Sequence, residues 1–199
     1  MEFSDVVRFR RMTRSFCDKP VDDIVIEECI ELASRAPSAG KSQGWHLVVF
    51  KGADTRRYWD IALPSHKRDA FVFPGLLEAP VVAVVLADPT AYTQRYSEID
   101  KSHTGLGSSV DNWPAPYWTI DASFATMTFL LALEDRGLGA LFFAHAHEDA
   151  LRKELLVPKH VEILGTIACG FASDEIVRKG VSASRVRRSV NDIIHLNRW

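Results

Sequence analysis

The run Arg10-Arg11-Met12-Thr13-Arg14-Ser15-Phe16 sets three guanidinium groups within five residues. Alternate residues of an extended segment, or neighbours at a helix end, can present such planar forks to phosphate oxygens. A second stretch, Ala36-Pro37-Ser38-Ala39-Gly40-Lys41-Ser42-Gln43-Gly44-Trp45, is built mostly of small residues. Small side chains let backbone N–H groups approach a flat ligand, while Lys41 and Gln43 supply polar contacts. The third pairs Gly137-Leu138-Gly139-Ala140, a tight helix-to-strand turn, with Arg187-Arg188 and the end His195-Leu-Asn-Arg-Trp199. Each of the three is weak alone, since small-residue turns commonly serve packing and terminal arginines are commonly surface charges.

The elements that must position these stretches alternate between helix and strand. Ser4 can cap a short first helix that runs into the arginines. Asp22 is the N-cap expected for a second helix, with Val21 and Ile26 as a hydrophobic staple. Val25, Cys29, Leu32 and Ala36 then recur at helical spacing until Pro37 and Gly40 break the chain. Trp45–Phe50 reads as a strand, Thr55–Leu63 as a helix, and Ala79–Ala87 as a β-branched buried strand closed by Asp88-Pro89. Residues 88–120, aromatic-rich and without a clear period, read as a long functional excursion. Asp121–Arg136 is apolar nearly all round in its first three turns and stops at Gly137, which predicts a helix through the middle of the molecule. Leu141–Ala146 and Ile163–Phe171 are further expected strands, with a helix at Glu148–Leu156 between them. There are no repeats and no linker, so one α+β domain over residues 1–199 is expected.

Composition bounds the rest. The chain has 199 residues, of which 47% are hydrophobic and 25% charged, the profile of a globular domain that needs no metal or disulfide staple. Its longest apolar stretches fall short of the roughly 20 residues a spanning helix requires, so no membrane insertion is expected. The opening Met-Glu-Phe-Ser-Asp lacks a basic segment followed by an apolar run. Cys17, Cys29 and Cys169 form no Cys-x-x-Cys pair and no even set, which suits a reducing cytoplasm. Cys29 and Cys169 are expected in the core and Cys17 at the surface.

The formal charge of −2 is unevenly spread. Residues 1–19 carry five basic and three acidic side chains, residues 178–199 six and one, and the middle is acidic. Both ends interleave arginines with apolar residues, a pattern that suits convergence on a compact anion such as phosphate. With a pI near 6.4 and no basic stripe elsewhere, nucleic acid is not an expected partner.

Several motifs are missing. Gly105-Leu-Gly-Ser-Ser-Val110 begins like a dinucleotide fingerprint but lacks its third glycine and a preceding strand. There is no phosphate-binding Walker loop and no Gly-x-Ser-x-Gly elbow. His145-Ala-His147 would set two imidazoles on one face of a strand, but no further ligands stand at a recognisable spacing, so no metal site is expected.

Taken in order, the three stretches resemble the nitroreductase family of FMN-dependent oxidoreductases. That family's Arg-Arg-Ser-x-Arg-x-Phe opening is matched by Arg10–Phe16, with Met12 at the serine. Its Ala-Pro-Ser-x-x-Asn-x-Gln-Pro-Trp is matched by Ala36–Trp45, with Lys41 at the asparagine and Gly44 at the proline. A Gly-Leu-Gly turn follows at Gly137–Gly139, then Arg-Arg near a His-x-x-Arg-Trp end at Arg187–Trp199. The resemblance implies a nitroreductase-like α+β fold, a central and mostly antiparallel sheet flanked by helices, in an intertwined homodimer with FMN at the interface. It implies that Arg10, Arg11, Met12, Arg14, Arg187 and Arg188 lie at the phosphate and ribityl end. Pro37, Ser38, Ala39, Leu138 and Gly139 would line the ring, with Gln43 at its edge or on the ribityl chain. An ammonium at Lys41, near the N1–C2=O edge, would stabilise anionic reduced flavin. NAD(P)H would reduce the flavin at N5 and a conjugated acceptor, such as a nitroaromatic or quinone, would reoxidise it in a ping-pong cycle. No catalytic side chain is assigned, because the chemistry belongs to the cofactor. The candidate substrate contacts are Trp113 and Tyr117, in an excursion that would act as lid or pocket wall or else pad the dimer surface, and Phe124, near the start of the central helix, which would face the flavin or the core. A specialised flavin enzyme on the same scaffold (a flavin-fragmenting synthase, a dehalogenase) and a non-catalytic flavin or deazaflavin binder are the alternatives.

Overall fold

The structure, a computed structural model, describes residues 1–174 and 184–199. Residues 178–183 of the basic C-terminal segment lie outside the described residues.

Four strands form one antiparallel sheet in the order β1-β2-β4-β3: β1 (Trp45–Lys51), β2 (Val81–Ala87), β3 (Gly139–Phe143) and β4 (Glu162–Gly170). Every pairing is antiparallel. β2 is buried along its whole length, as its unbroken β-branched run requires of a central strand covered on both faces. Its pleat sends Val81, Ala83 and Val85 into one core and Val82, Val84 and Leu86 into the other.

The first core holds α2 (Asp23–Ser34) and α5 (Tyr117–Asp135) against the sheet, through Ile26, Cys29, Ala33, Phe129 and Leu133. Asp22 caps α2 by accepting from the Ile24 amide at 3.1 Å, and Val21 packs in the same cluster as Ile26. The second core holds α3 (Thr55–Ala62) and α6 (Glu148–Glu154), through Tyr58, Trp59 and Leu151. Tyr58 donates to Thr166 Oγ1 at 2.9 Å across it. Each fully buried valine contributes about 1.5–3 kcal/mol relative to exposure, so β2 anchors both layers.

Several elements depart from expectation. The first helix, α1 (Phe3–Phe9), starts behind Glu2 with no side-chain cap, not behind Ser4. Asp88-Pro89 ends β2 as expected but also opens α4 (Pro89–Tyr96): Asp88 accepts from the Thr90 amide and the proline takes the first helical turn. The excursion therefore contains a helix. α5 starts at Tyr117 behind Pro116, four residues before Asp121, which lies inside the helix. Gly137, at φ 72, ends it. β3 stops at Phe143, so His145 and His147 share no strand face. His147 adopts the left-handed region at φ 57, and His145 meets Glu148 at 3.2 Å. No cluster of metal-ligating side chains occurs among the described residues. Nor is any described helix long and apolar enough to cross a membrane.

Candidate functional site

The loop between α2 and β1 has an unusual backbone. Pro37 cannot continue α2, and Ser38 is extended. Gly40, Lys41 and Gln43 then take φ of 60, 59 and 55. For Lys41 and Gln43 the left-handed region costs about 1–3 kcal/mol each and persists only where surrounding structure holds it. Inside the loop, the Lys41 amide donates to Ser38 O at 2.9 Å, the Ser42 hydroxyl to Ala39 O at 2.7 Å, and the Gln43 amide to Ser38 Oγ at 3.1 Å. From outside, the Ala39 amide donates to Asp121 Oδ2 at 2.8 Å. Arg95 Nε donates to Gly40 O at 2.8 Å. A Cβ on Gly40 would stand 2.8 Å from the Tyr96 ring, so only glycine fits. The amides of Ser38 and Gly40 have no partner among the described residues, which leaves two backbone donors unpaired.

Behind the loop lies a cavity of ≈ 100 Å³, lined by Pro37, Ser38, Gln43, Trp45, Tyr92, Asp121 and Ala125, among others. The Tyr92 hydroxyl donates to Asp121 Oδ2 at 2.9 Å. Burial, and then the Asp121 carboxylate, push the Tyr92 phenol well above its ordinary range, so it stays a donor. The Trp45 indole N–H is buried without a partner among the described residues.

The arginine stretch sits elsewhere. It runs extended beside the start of β3, just after the Gly137-Leu138 turn, where the Thr13 amide donates to Ala140 O at 2.9 Å and Met12 bridges Ala140 in parallel. Gly139 permits this approach: a Cβ there would meet Thr13 Oγ1 at 2.5 Å. Arg10, Arg11 and Arg14 have no acidic partner among the described residues; Arg14 Nη1 donates to Met12 O, and its guanidinium lies 5.5 Å from the Phe73 ring centre. Three guanidiniums without carboxylates suit a phosphate. Arg187 and Arg188 are exposed, and Arg188 donates to the Asp192 carbonyl.

The two groups of motif residues are thus separate in one chain. None of Arg10, Arg11, Met12, Arg14, Leu138, Gly139, Arg187 or Arg188 lines the cavity behind the 37–43 loop. Leu138 is itself buried in the α2–α5 core, and its amide donates to Leu133 O at 2.9 Å. Of the candidate substrate contacts, Trp113 is 8% exposed and donates its indole N–H to Leu106 O. It packs against Tyr92, Tyr96, Tyr117 and Trp118 with ring centres 4.7 to 6.5 Å apart. That cluster is a third small core, which an aperiodic aromatic sequence does not distinguish from a pocket wall. Phe124 is 48% exposed on α5.

Asp121, Tyr92 and Arg95 were not singled out by the sequence. Asp-to-loop contacts 82 residues apart leave no local signal.

A family model described as the nitroreductase family matches residues 7–171. The chain belongs to the nitroreductase family. It is, with that membership, an oxidoreductase. A putative NADH dehydrogenase/NAD(P)H nitroreductase of Archaeoglobus fulgidus is 28% identical over 171 residues, covering 83% of each chain. A 4-nitrobenzoate reductase of a Nocardioides species is 29% identical over 198 residues, covering 85% of this chain and 80% of that one. The crystal structure of a nitroreductase family protein from Streptococcus pneumoniae superposes with a TM-score of 0.75 at 21% identity, over 98% of this chain and 99% of that one, which establishes the fold.

Proposed function

We propose that the protein is an FMN-dependent NAD(P)H oxidoreductase that works as a homodimer, reducing a conjugated acceptor such as a nitroaromatic or a quinone. The separation of its two half-sites carries this reading. A cavity of ≈ 100 Å³ is well below the roughly 300–1,000 Å³ of a cofactor or substrate pocket, and the uncommitted arginines lie outside it. A second copy would bring its arginines and its Gly137–Gly139 turn to the first copy's 37–43 loop, completing the site. Exposed apolar side chains on α1 (Phe3, Val7, Phe9) and α5 (Phe124, Met127) are surfaces such a copy would cover.

The residues present fit FMN. Arg10, Arg11 and Arg14 would hold its phosphate, joined by Arg187 or Arg188. The free amides of Ser38 and Gly40 would meet the ring, with Pro37, Ala39, Lys41 and Gln43 around it, and the backbone at Met12 and Gly139, with Leu138 packed behind, would close the other side. Bound FMN would supply a carrier that takes hydride at N5 from NAD(P)H and returns it to the acceptor. The chain's own part is to bind, orient and exclude water, which requires no side-chain acid or base. Tyr117 and Phe124 remain the side chains proposed to contact the acceptor, and residues 1–199 are proposed to act as one domain. Three unpaired cysteines suit a cytoplasmic setting.

The test is the visible spectrum of the purified protein before and after anaerobic NADPH or NADH. A two-band flavin spectrum that bleaches, from a dimer by light scattering, is expected. A colourless protein that takes up no added FMN refutes the cofactor; colour that neither nucleotide bleaches refutes the donor.

A further inference from the structure

We propose that Asp121 is a positioning residue for the 38–43 loop: it holds the loop's left-handed backbone in the shape that presents the Ser38 and Gly40 amides to the flavin. This rests on the reading of that loop as a flavin contact. Asp121 is 7% exposed and makes no ion pair among the described residues. A carboxylate buried without a cation is costly unless it is well hydrogen-bonded, and an apolar residue would suit a helix core better. What it has instead are two donors on one oxygen, the Ala39 amide at 2.8 Å and the Tyr92 hydroxyl at 2.9 Å. It therefore ties together three parts of the chain: the loop, α4 and the helix that crosses the core.

α4 supplies the other side of the clamp. Arg95 takes the Gly40 carbonyl at 2.8 Å, and the Tyr96 ring leaves no room beside Gly40 for a side chain. Asp121 thus fixes Ala39 while α4 fixes Gly40, and the left-handed residues 40, 41 and 43 follow directly. Released at Ala39, the loop can relax toward ordinary backbone angles, and its two free amides diverge. The excursion of residues 88–120 acts through this contact as a brace behind the loop rather than as a lid in front of it.

The experiment uses full-length protein with Asp121→Ala, Asp121→Asn and Tyr92→Phe. Two quantities are read: FMN affinity by quenching of flavin fluorescence, and hydrogen exchange at residues 39–43 in flavin-stripped protein. Asp121→Ala is expected to weaken FMN binding about tenfold or more, the loss of a hydrogen bond to a charged group. It is also expected to speed exchange in the loop while β2 stays protected. Asp121→Asn keeps an oxygen acceptor and is expected to recover most of both effects; Tyr92→Phe falls between. Unchanged affinity and exchange in Asp121→Ala overturn the proposal. So does a loss that spreads to β2 and that asparagine does not rescue, because it marks general destabilisation. Wild-type protein that binds no FMN refutes the flavin reading; faster loop exchange in Asp121→Ala then still supports the clamp, and unchanged exchange overturns it.

Discussion

Gly44 stands where the family pattern has proline, and the structure predicts that any side chain there is harmful. Gly44 extends the β1–β2 ladder by one residue, its carbonyl accepting from the Asp88 amide at 2.8 Å. A Cβ on it would lie 2.7 Å from Asp88 O, 2.8 Å from Tyr92 Cε2 and 3.3 Å from Ala91 Cβ. Asp88 cannot retreat easily. Its amide is bonded to Gly44 and its carboxylate caps α4, accepting from the Thr90 amide at 2.8 Å and hydroxyl at 2.6 Å. Overpacking of this kind costs about 1–3 kcal/mol. The smaller entropy of an unfolded alanine chain returns about 0.4–1 kcal/mol. At the middle of both ranges Gly44→Ala should therefore lose about 1.3 kcal/mol net, a fall in Tm of about 3–5 °C for a chain of this size. Thermal melts and urea titrations at fixed protein concentration, with an unchanged m value, measure it. Gly44→Pro adds a larger obstruction and should fare no better, although it restores the family residue. An alanine variant as stable as the parent would refute the argument, for it would show that the Asp88–Tyr92 segment gives way freely.

Other consequences are as direct. Burial pushes the Cys29 thiol to about 11 and the Cys169 thiol to about 12, so iodoacetamide at pH 8 should alkylate only Cys17 in native protein and all three cysteines after denaturation, as read by mass spectrometry. The Arg95 guanidinium, bonded to both carboxylate oxygens at 2.8 and 2.7 Å, lowers the Asp100 carboxyl from 3.8 to about 2. Because the folded pKa is depressed, the contribution of this pair is complete above about pH 4 and is lost as pH falls through about 2; an NMR titration of Asp100 should show that midpoint, returning toward 3.8 in Arg95→Met. Arg14→Ala should weaken FMN about tenfold or more and leave riboflavin, which lacks the phosphate, unaffected in a binding titration. Equal losses for both ligands would place Arg14 away from the phosphate.

What the sequence determined by itself was the set of elements whose cause is local. The Asp22 cap, the Pro37 break, the β-branched run of β2 and the Gly137 stop follow from backbone and side-chain preferences within a few residues, and all are where those preferences put them. The family, too, was legible, because three ordered stretches from Arg10 to Trp199 survive as linear patterns. Tertiary structure decided the rest. Asp121 marked the expected start of the central helix, yet it lies inside α5, since Pro116 opens that helix and the carboxylate is spent on Ala39 and Tyr92. Trp113 and Trp118, from the aromatic run that read as a pocket wall, bury with Tyr92 in a small core of their own, because rings with no period can pack on one another as readily as on a ligand. Lys41 and Gln43 gave no sign of their left-handed backbone, which is held by bonds to Ser38 inside a loop that a carboxylate 82 residues along the chain ties down at Ala39. Local preferences act over a few residues and are written there. The shape of the candidate site depends on a buried carboxylate and a helix from distant parts of the chain, and only the folded arrangement brings them to the loop.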